Sequence, residues 1–220
     1  MKTSRIPEHT VSRLSIYFRC LRTLEEERIA TISSKQFARR FGLNAAQIRK
    51  DLAYFGEFGV RGVGYEVDAL KSQIQRILGL TQPWPVCMVG LGNLGQALLH
   101  YRGFELSGFR IAVVFEKDKR KISREPVNGT HFFHIDEVES VLRDSGIRIA
   151  ILAVPAEDAQ SVSDRLVGAD IDAIVNFAPV TLSVPPKVKV RNVDLTIALE
   201  NLAFFLTHRD HVDPIGPTLH

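Results

Sequence analysis

Residues 86–101 read "VCMVGLGNLGQALLHY": a short apolar run, three glycines at Gly90, Gly92 and Gly95, and a segment with helical spacing. Strand, G-x-G-x-x-G loop and helix in that order form the context in which a glycine loop binds a dinucleotide. Each glycine has its own task there. The first permits a tight turn, the second lets the backbone approach a pyrophosphate, and the third lets helix and strand pack closely. The helix N-terminus then faces the phosphates. Gly90, Leu91, Gly92, Asn93, Leu94 and Gly95 are therefore candidate cofactor-binding residues.

Downstream, apolar runs at 86–90, 110–115, 148–154 and 172–177 alternate with amphipathic or polar segments, and weaker strand candidates lie in "HFFHI" and "VKVRNV". Such alternation predicts a parallel sheet covered by helices on both faces, so residues 84–207 are expected to form a doubly wound Rossmann domain. Glu116 ends the second strand 21 residues after Gly95, where a carboxylate accepts hydrogen bonds from the adenosine ribose of NAD(H). The neighbouring "KDKRK" leaves a second option, because Lys117, Lys119, Arg120 or Lys121 can attract the 2′-phosphate of NADP(H). A solvated basic loop is the plain reading of the same run.

A dehydrogenase needs an acid or base near the nicotinamide, and usually a substrate domain to present it. Residues 84–207 suffice for the nucleotide domain alone, and no HExxH, GxSxG or paired-cysteine metal spacing occurs. The seven histidines, His9, His100, His131, His134, His208, His211 and His220, sit in no recognisable catalytic setting. No catalytic residue and no metal ligand is expected. Two rival readings stay open: a small NAD(P)-dependent oxidoreductase, and a CoA- or nucleotide-binding adaptor.

Upstream, the composition changes. Residues 1–80 carry 14 Lys and Arg against 8 Asp and Glu, whereas the remaining 140 residues carry 14 against 17. Apolar residues recur throughout this basic front, which points to a folded domain with a polyanion-binding surface. Pro7 opens a helix to about Glu27, with Val11, Leu14, Phe18 and Leu21 as its apolar stripe. "SSKQFARRFG" follows, with Ser33 and Gln36 at capping-box spacing and Gly42 at the helix stop. Asn44 caps a third helix, "AAQIRKDLAYF", whose Ile48 and Leu52 face inward. Two short helices joined by "GLN" form a helix-turn-helix, the second of which would enter a DNA major groove. "GEFGVRGVGYEV" then sets Phe58, Val60, Val63 and Tyr65 among Gly56, Gly59, Gly62 and Gly64, as a two-stranded wing would. Arg61 at its tip suits a narrow minor groove. Arg13, Ser34, Gln47, Arg49, Lys50, Tyr54 and Arg61 are the candidate DNA-binding residues. A helical adaptor with a solvated cationic face is the plain alternative. One more helix, "DALKSQIQRILGL", capped by Asp68 and stopped at Gly79, precedes the break "TQPWP". The expected domains are 1–80, a winged helix-turn-helix, and 84–207, followed by a flexible tail over 208–220.

The chain has 220 residues, 45% of them hydrophobic, so one or two ordinary globular domains are expected. No apolar run approaches the length of a membrane span, and "MKTSRIPEHT" lacks a signal-peptide core, so a cytoplasmic protein with no membrane partner is expected. Cys20 and Cys87 suit reduced, buried thiols, with a redox switch as the minority reading.

Five segments, "RKDLAYFGEFGVRGVGY", "VGLGNLGQALLHYRGF", "AILAVPAEDAQ", "NFAPV" and "VRNVDL", occur in colinear order and closely resemble the Rex family of bacterial redox-sensing transcriptional repressors. The resemblance spans about residues 5–207. It implies a homodimer whose N-terminal winged helix binds an inverted-repeat operator, whose Rossmann domain senses NADH against NAD+, and whose C-terminal helix swaps across the dimer. NADH binding would close the dimer and release DNA, while NAD+ would permit repression. By the same resemblance Val154 and Pro155 would line the cofactor cleft, and Asn176, Ala178 and Pro179 would lie near the nicotinamide. Arg19, Tyr101 and Asp194 would form the switch. The chain departs from the family in having Glu116 where Asp is usual, and Leu195 where some members have an aromatic residue; both bear on cofactor affinity and selectivity.

Overall fold

The computed structural model describes residues 6–60 and 62–208. The chain folds as two units, one ending at Thr81 and the other running from Gln82 to His208.

The first unit comprises α1 (Glu8–Glu26), β1 (Thr31–Ile32), α2 (Ser34–Phe41), α3 (Ala45–Ala53), β2 (Tyr65–Glu66) and α4 (Val67–Ile77). Local chemistry sets most of these boundaries. Pro7 is the N-cap of α1, where its missing N–H leaves no helical bond unmade. Ser33 and Gln36 form a reciprocal capping box at the start of α2, and Gly42 ends that helix at φ 64°. Asn44 caps α3 by accepting from the N–H groups of Ala46 and Gln47. The core gathers Leu14, Tyr17, Leu21 and Leu24 of α1 with Phe37, Ile48, Leu52, Val67, Leu70 and Ile74.

Three expectations are corrected in this unit. The buried stripe of α1 runs through Thr10, Leu14, Tyr17, Cys20, Leu21 and Leu24, while Val11 is exposed and Phe18 only half-buried. Asp68 lies inside the first turn of α4; Glu66 holds the cap position and makes no side-chain cap bond. Among the described residues the glycine-rich wing closes on one bridge, Val60 to Gly64, and Tyr65–Glu66 pairs antiparallel with β1 instead of with the other arm of the ribbon. A two-residue partner strand such as Thr31–Ile32 has no periodicity for a sequence to display. Arg61 lies outside the described residues.

The second unit comprises β3 (Trp84–Val89), α5 (Asn93–Leu99), α6 (Gly103–Leu106), β4 (Phe109–Glu116), β5 (His131–His134), α7 (Val138–Leu142), β6 (Ile149–Leu152), α8 (Ala156–Gly168), β7 (Ala173–Asn176), β8 (Lys189–Asn192) and α9 (Leu195–Thr207). Its six strands lie in the order β5-β4-β3-β6-β7-β8 and every neighbouring pair is parallel. This is the doubly wound arrangement, with the switch of direction between β3 and β6. Strand alternation divides the core: Val86 and Met88 pack on one face with Leu91, Ile111, Val114 and Ile151, whereas Cys87 and Val89 pack on the other with Val138, Leu142, Ala159 and Leu166. Both cysteines are buried and free. Helix α9 buries no residue and leaves a run of large apolar side chains exposed: Leu195, Ile197, Leu199, Leu202, Phe204 and Leu206. Of the expected tail, His208 caps α9 and residues 209–220 lie outside the described residues. Among the described residues no helix is long and apolar enough to cross a membrane.

Candidate nucleotide-binding and DNA-binding sites

The glycine loop lies at the carboxyl end of β3, at the switch point where open α/β sheets take ligands. Gly90 turns there at φ +97°, and a Cβ on it would stand 2.3 Å from the Ala153 carbonyl oxygen. A Cβ on Gly95 would stand 2.1 Å from the Gly90 carbonyl oxygen, so only hydrogen lets α5 close on the loop. A Cβ on Gly92 would meet nothing within 4 Å. The middle glycine therefore borders open space, the place a pyrophosphate needs. Asn93 and Leu94, exposed in the first turn of α5, carry N–H groups that no helical carbonyl takes.

A cavity of about 360 Å³ opens beside the loop, lined by Gly90, Gly92, Glu116, Val154 and Pro155 together with Lys121, Asp158 and Arg165. Glu116 is buried, and its carboxylate is highly connected: Oε2 accepts from Leu91 N at 2.6 Å, and Oε1 accepts from the N–H groups of Lys117 at 2.8 Å and Asp118 at 2.9 Å. The basic run beyond it is partly neutralised. Lys117 Nζ donates to Asp158 at 2.6 Å, and Arg120 is bidentate to Asp118 at 2.9 Å. Lys121 faces the cavity, with Nζ 3.4 Å from the Leu91 carbonyl. The glycine cradle, the apolar wall and the carboxylate fit a dinucleotide, and a carboxylate at that position disfavours a 2′-phosphate.

Asn176, at the end of β7, has no exposed surface. Its Oδ1 accepts from Ala178 N at 3.0 Å, and its Nδ2 donates to the carbonyls of Ala178 and Val180 and to Asn192 Oδ1 at 3.0 Å. The amide holds the turn that carries buried Ala178 and exposed Pro179. Asp194 caps α9, its Oδ1 accepting from Thr196 N at 2.8 Å and Thr196 Oγ1 at 2.6 Å, and these bonds hold its carboxyl below the usual range. Tyr101 is 59% exposed and stacks edge-on against Phe104, with ring centroids 5.2 Å apart. Arg19 is exposed on α1 of the first unit.

On the first unit, α2 and α3 present exposed Arg49 and Lys50 and half-exposed Ser34, and half-exposed Tyr54 caps the end of α3. Arg49 Nη1 donates to Ser34 Oγ at 2.8 Å, so a side chain of α2 steadies the cation on α3. A groove of about 760 Å³ lies between these helices and the wing, lined by Ser34, Lys35, Arg49, Gly59, Val60 and Tyr65. Arg13 is engaged inside the unit, and half-exposed Gln47 commits one amide hydrogen there. Both bind Asp51, a fully buried carboxylate on α3 that also accepts from Tyr17 Oη at 2.8 Å. Burial pushes the Asp51 carboxyl up, but the hydrogen bonds from Arg13, Tyr17 and Gln47 outweigh it and hold it below its ordinary value. Sequence reasoning missed Asp51 and Tyr17; the one local signal was an acid four residues after Gln47 on the same helix.

Comparison with known proteins covers both units. Residues 5–53 match the family "Putative DNA-binding protein N-terminus", and residues 81–180 match the "CoA binding domain" family. The redox-sensing transcriptional repressor Rex of Desulfitobacterium hafniense is 50% identical over 204 residues, 93% of this chain and 97% of that one. The Rex repressor of Carboxydothermus hydrogenoformans is 51% identical, over 93% and 98% of the two chains. Among solved structures, RSP in complex with β-NAD+ and operator DNA covers 94% of this chain and 95% of its own at 35% identity and TM-score 0.88. The same Rex-family repressor in complex with β-NADH covers 94% and 97% at 34% identity and TM-score 0.83. Both the helical N-terminal unit and the six-stranded unit are shared with these proteins, and the chain belongs to the Rex family of redox-sensing transcriptional repressors.

Proposed function

We propose that this chain binds operator DNA through its first unit, binds NADH and NAD+ at the glycine loop of its second, and leaves the operator when NADH replaces NAD+. One observation carries the reading: a capped two-helix element bearing Arg49 and Lys50 and a dinucleotide cradle open at Gly92 occur in one chain. Gly90 to Gly95 would hold the pyrophosphate, Glu116 the adenosine ribose, and Val154 and Pro155 the cleft wall. Asn176 would act by shaping the turn at Ala178 and Pro179, since its amide is already committed. The cofactor would serve as a ligand whose oxidation state is read, so the chain would work without turnover, in the cytoplasm where its operator lies.

Coupling then follows from linkage. If NADH favours a form with poor operator affinity, DNA must weaken NADH binding by the same factor. A coupling of about 1–3 kcal/mol corresponds to roughly 5- to 150-fold. The exposed apolar residues of α9 support a homodimer built on that helix, and an inverted-repeat operator matches a two-fold protein. Arg19, Tyr101 and Asp194 are the residues proposed to pass the cofactor state to the DNA-binding unit.

The decisive measurement is fluorescence anisotropy on an inverted-repeat duplex at fixed NAD+ with rising NADH. Operator affinity is expected to fall with NADH, and an affinity indifferent to it sinks the reading. Calorimetry with NADH, NADPH and CoA separates the alternatives: tight CoA binding without NADH binding would favour an adaptor, and steady oxidation of NADH by a carbonyl compound would favour an oxidoreductase.

A further inference from the structure

We propose that Asp51 is a specificity-determining positioning residue: it orients the Gln47 carboxamide so that α3 selects adenine over guanine in the major groove. The inference rests on α3 being the operator-contacting helix. Gln47 is the third residue of α3, the part of such a helix that reaches base edges, and Asp51 lies one turn further on. Gln47 Nε2 donates to Asp51 Oδ1 at 2.8 Å.

A free glutamine amide has two N–H donors and one oxygen acceptor, and a half-turn about its last torsion exchanges them. Beside an ionised carboxylate that exchange is barred, because Asp51 accepts only and cannot face Oε1. Asp51 is itself immobilised. Its Oδ1 also takes Arg13 Nη2 at 2.7 Å and Thr10 Oγ1 at 3.3 Å, while Oδ2 takes Arg13 Nε at 2.6 Å and Tyr17 Oη at 2.8 Å. Three residues of α1 thereby fix the acceptor that fixes Gln47.

One Nε2 hydrogen and Oε1 remain, and no described residue donates to Oε1. A donor beside an acceptor complements the adenine edge, where N7 accepts and the N6 amino group donates. Guanine presents two acceptors, N7 and O6, and would require both amide hydrogens. One of them is held by Asp51, so guanine would meet Oε1 with its own oxygen. Buried Asp51 thus converts an ambivalent side chain into an adenine reader.

The test uses the full chain and the operator duplex it selects from a randomised library. Each adenine of one half-site is replaced in turn by guanine, by purine, which lacks the amino donor, and by 7-deazaadenine, which lacks N7. One position is expected where all three weaken binding, guanine by roughly 5- to 150-fold, and where Gln47→Ala removes the preference. Asp51→Asn should narrow the adenine-over-guanine ratio there, read as a ratio on one variant so that any general change in duplex affinity cancels. Wild-type chain supplies a readout independent of whether that variant folds: in 15N spectra one Gln47 Nε2 proton should be protected from solvent exchange and the other not. Equal exchange of the two protons, equal tolerance of guanine and adenine at every position, or an intact ratio in folded Asp51→Asn overturns the inference and leaves operator binding standing. Failure of the chain to select any duplex overturns the operator reading, and the inference with it.

Discussion

Glu116 Oε2 accepts the Leu91 N–H at 2.6 Å, so the last residue of β4 holds the glycine loop that follows β3. The same carboxylate takes two further backbone donors, from Lys117 and Asp118. Glu116→Gln would leave one acceptor oxygen for three donors. Hydrogen bonds to charged groups are each worth about 1.5–3 kcal/mol, so NADH affinity is expected to fall by an order of magnitude or more. NADPH should lose less, because the variant also removes a negative charge from the ribose side. Calorimetry with both cofactors checks this, and an unaltered NADH-to-NADPH ratio would mean that Glu116 shapes the loop without facing the ribose.

The glycines of the loop separate binding from folding. Gly92→Asp adds charge and bulk where a Cβ meets open space, so NADH binding should be lost while the melting temperature stays within a few degrees of wild type. Gly95→Ala forces a methyl against the Gly90 carbonyl, and overpacking of that kind costs about 1–3 kcal/mol. Thermal unfolding of the two variants, read beside NADH titration, should show opposite patterns.

The second unit was largely legible because strand periodicity and the glycine loop are local signals. Even its weak strands, β5 and β8, are weak for a physical reason: they are the sheet edges and are only partly covered. The helices of the first unit were legible through Ser33, Gln36, Gly42 and Asn44. The Asp51 cluster was not, since Thr10 and Tyr17 stand 41 and 34 residues before it and meet it only through packing of α1 on α3. Arg13 reads as a free cation in the sequence for the same reason.

That cluster makes a prediction about acid. A carboxylate whose folded pKa is depressed contributes stability above its unfolded value of about 3.9 and loses it as pH falls through the lower folded value. Asp51→Asn breaks an ion pair whose carboxylate is buried and whose guanidinium is partly exposed, so at neutral pH it is expected to cost less than the ~3–5 kcal/mol of a fully buried pair. The charge-dependent part of the gap between wild type and variant should therefore be lost, and the gap narrow, in urea titrations as pH drops below about 4. A gap that stays constant with pH would show that Asp51 acts by shape and not by charge.

Asp194 caps α9, and substitution can part that task from its proposed one. Its Oδ1 caps α9, and its charge belongs to the proposed switch with Arg19 and Tyr101. Asparagine is as good an N-cap as aspartate, so Asp194→Asn should keep the helix while removing the charge. Asp194→Ala removes both and should lower helix content by circular dichroism. Tyr101→Phe keeps the edge-on ring that packs on Phe104 and deletes only the exposed hydroxyl. Both Asp194→Asn and Tyr101→Phe are expected to bind NADH normally and to release the operator poorly. If they release it as wild type does, Asp194 is a helix cap, Tyr101 is a packing residue, and the cofactor signal travels by another route.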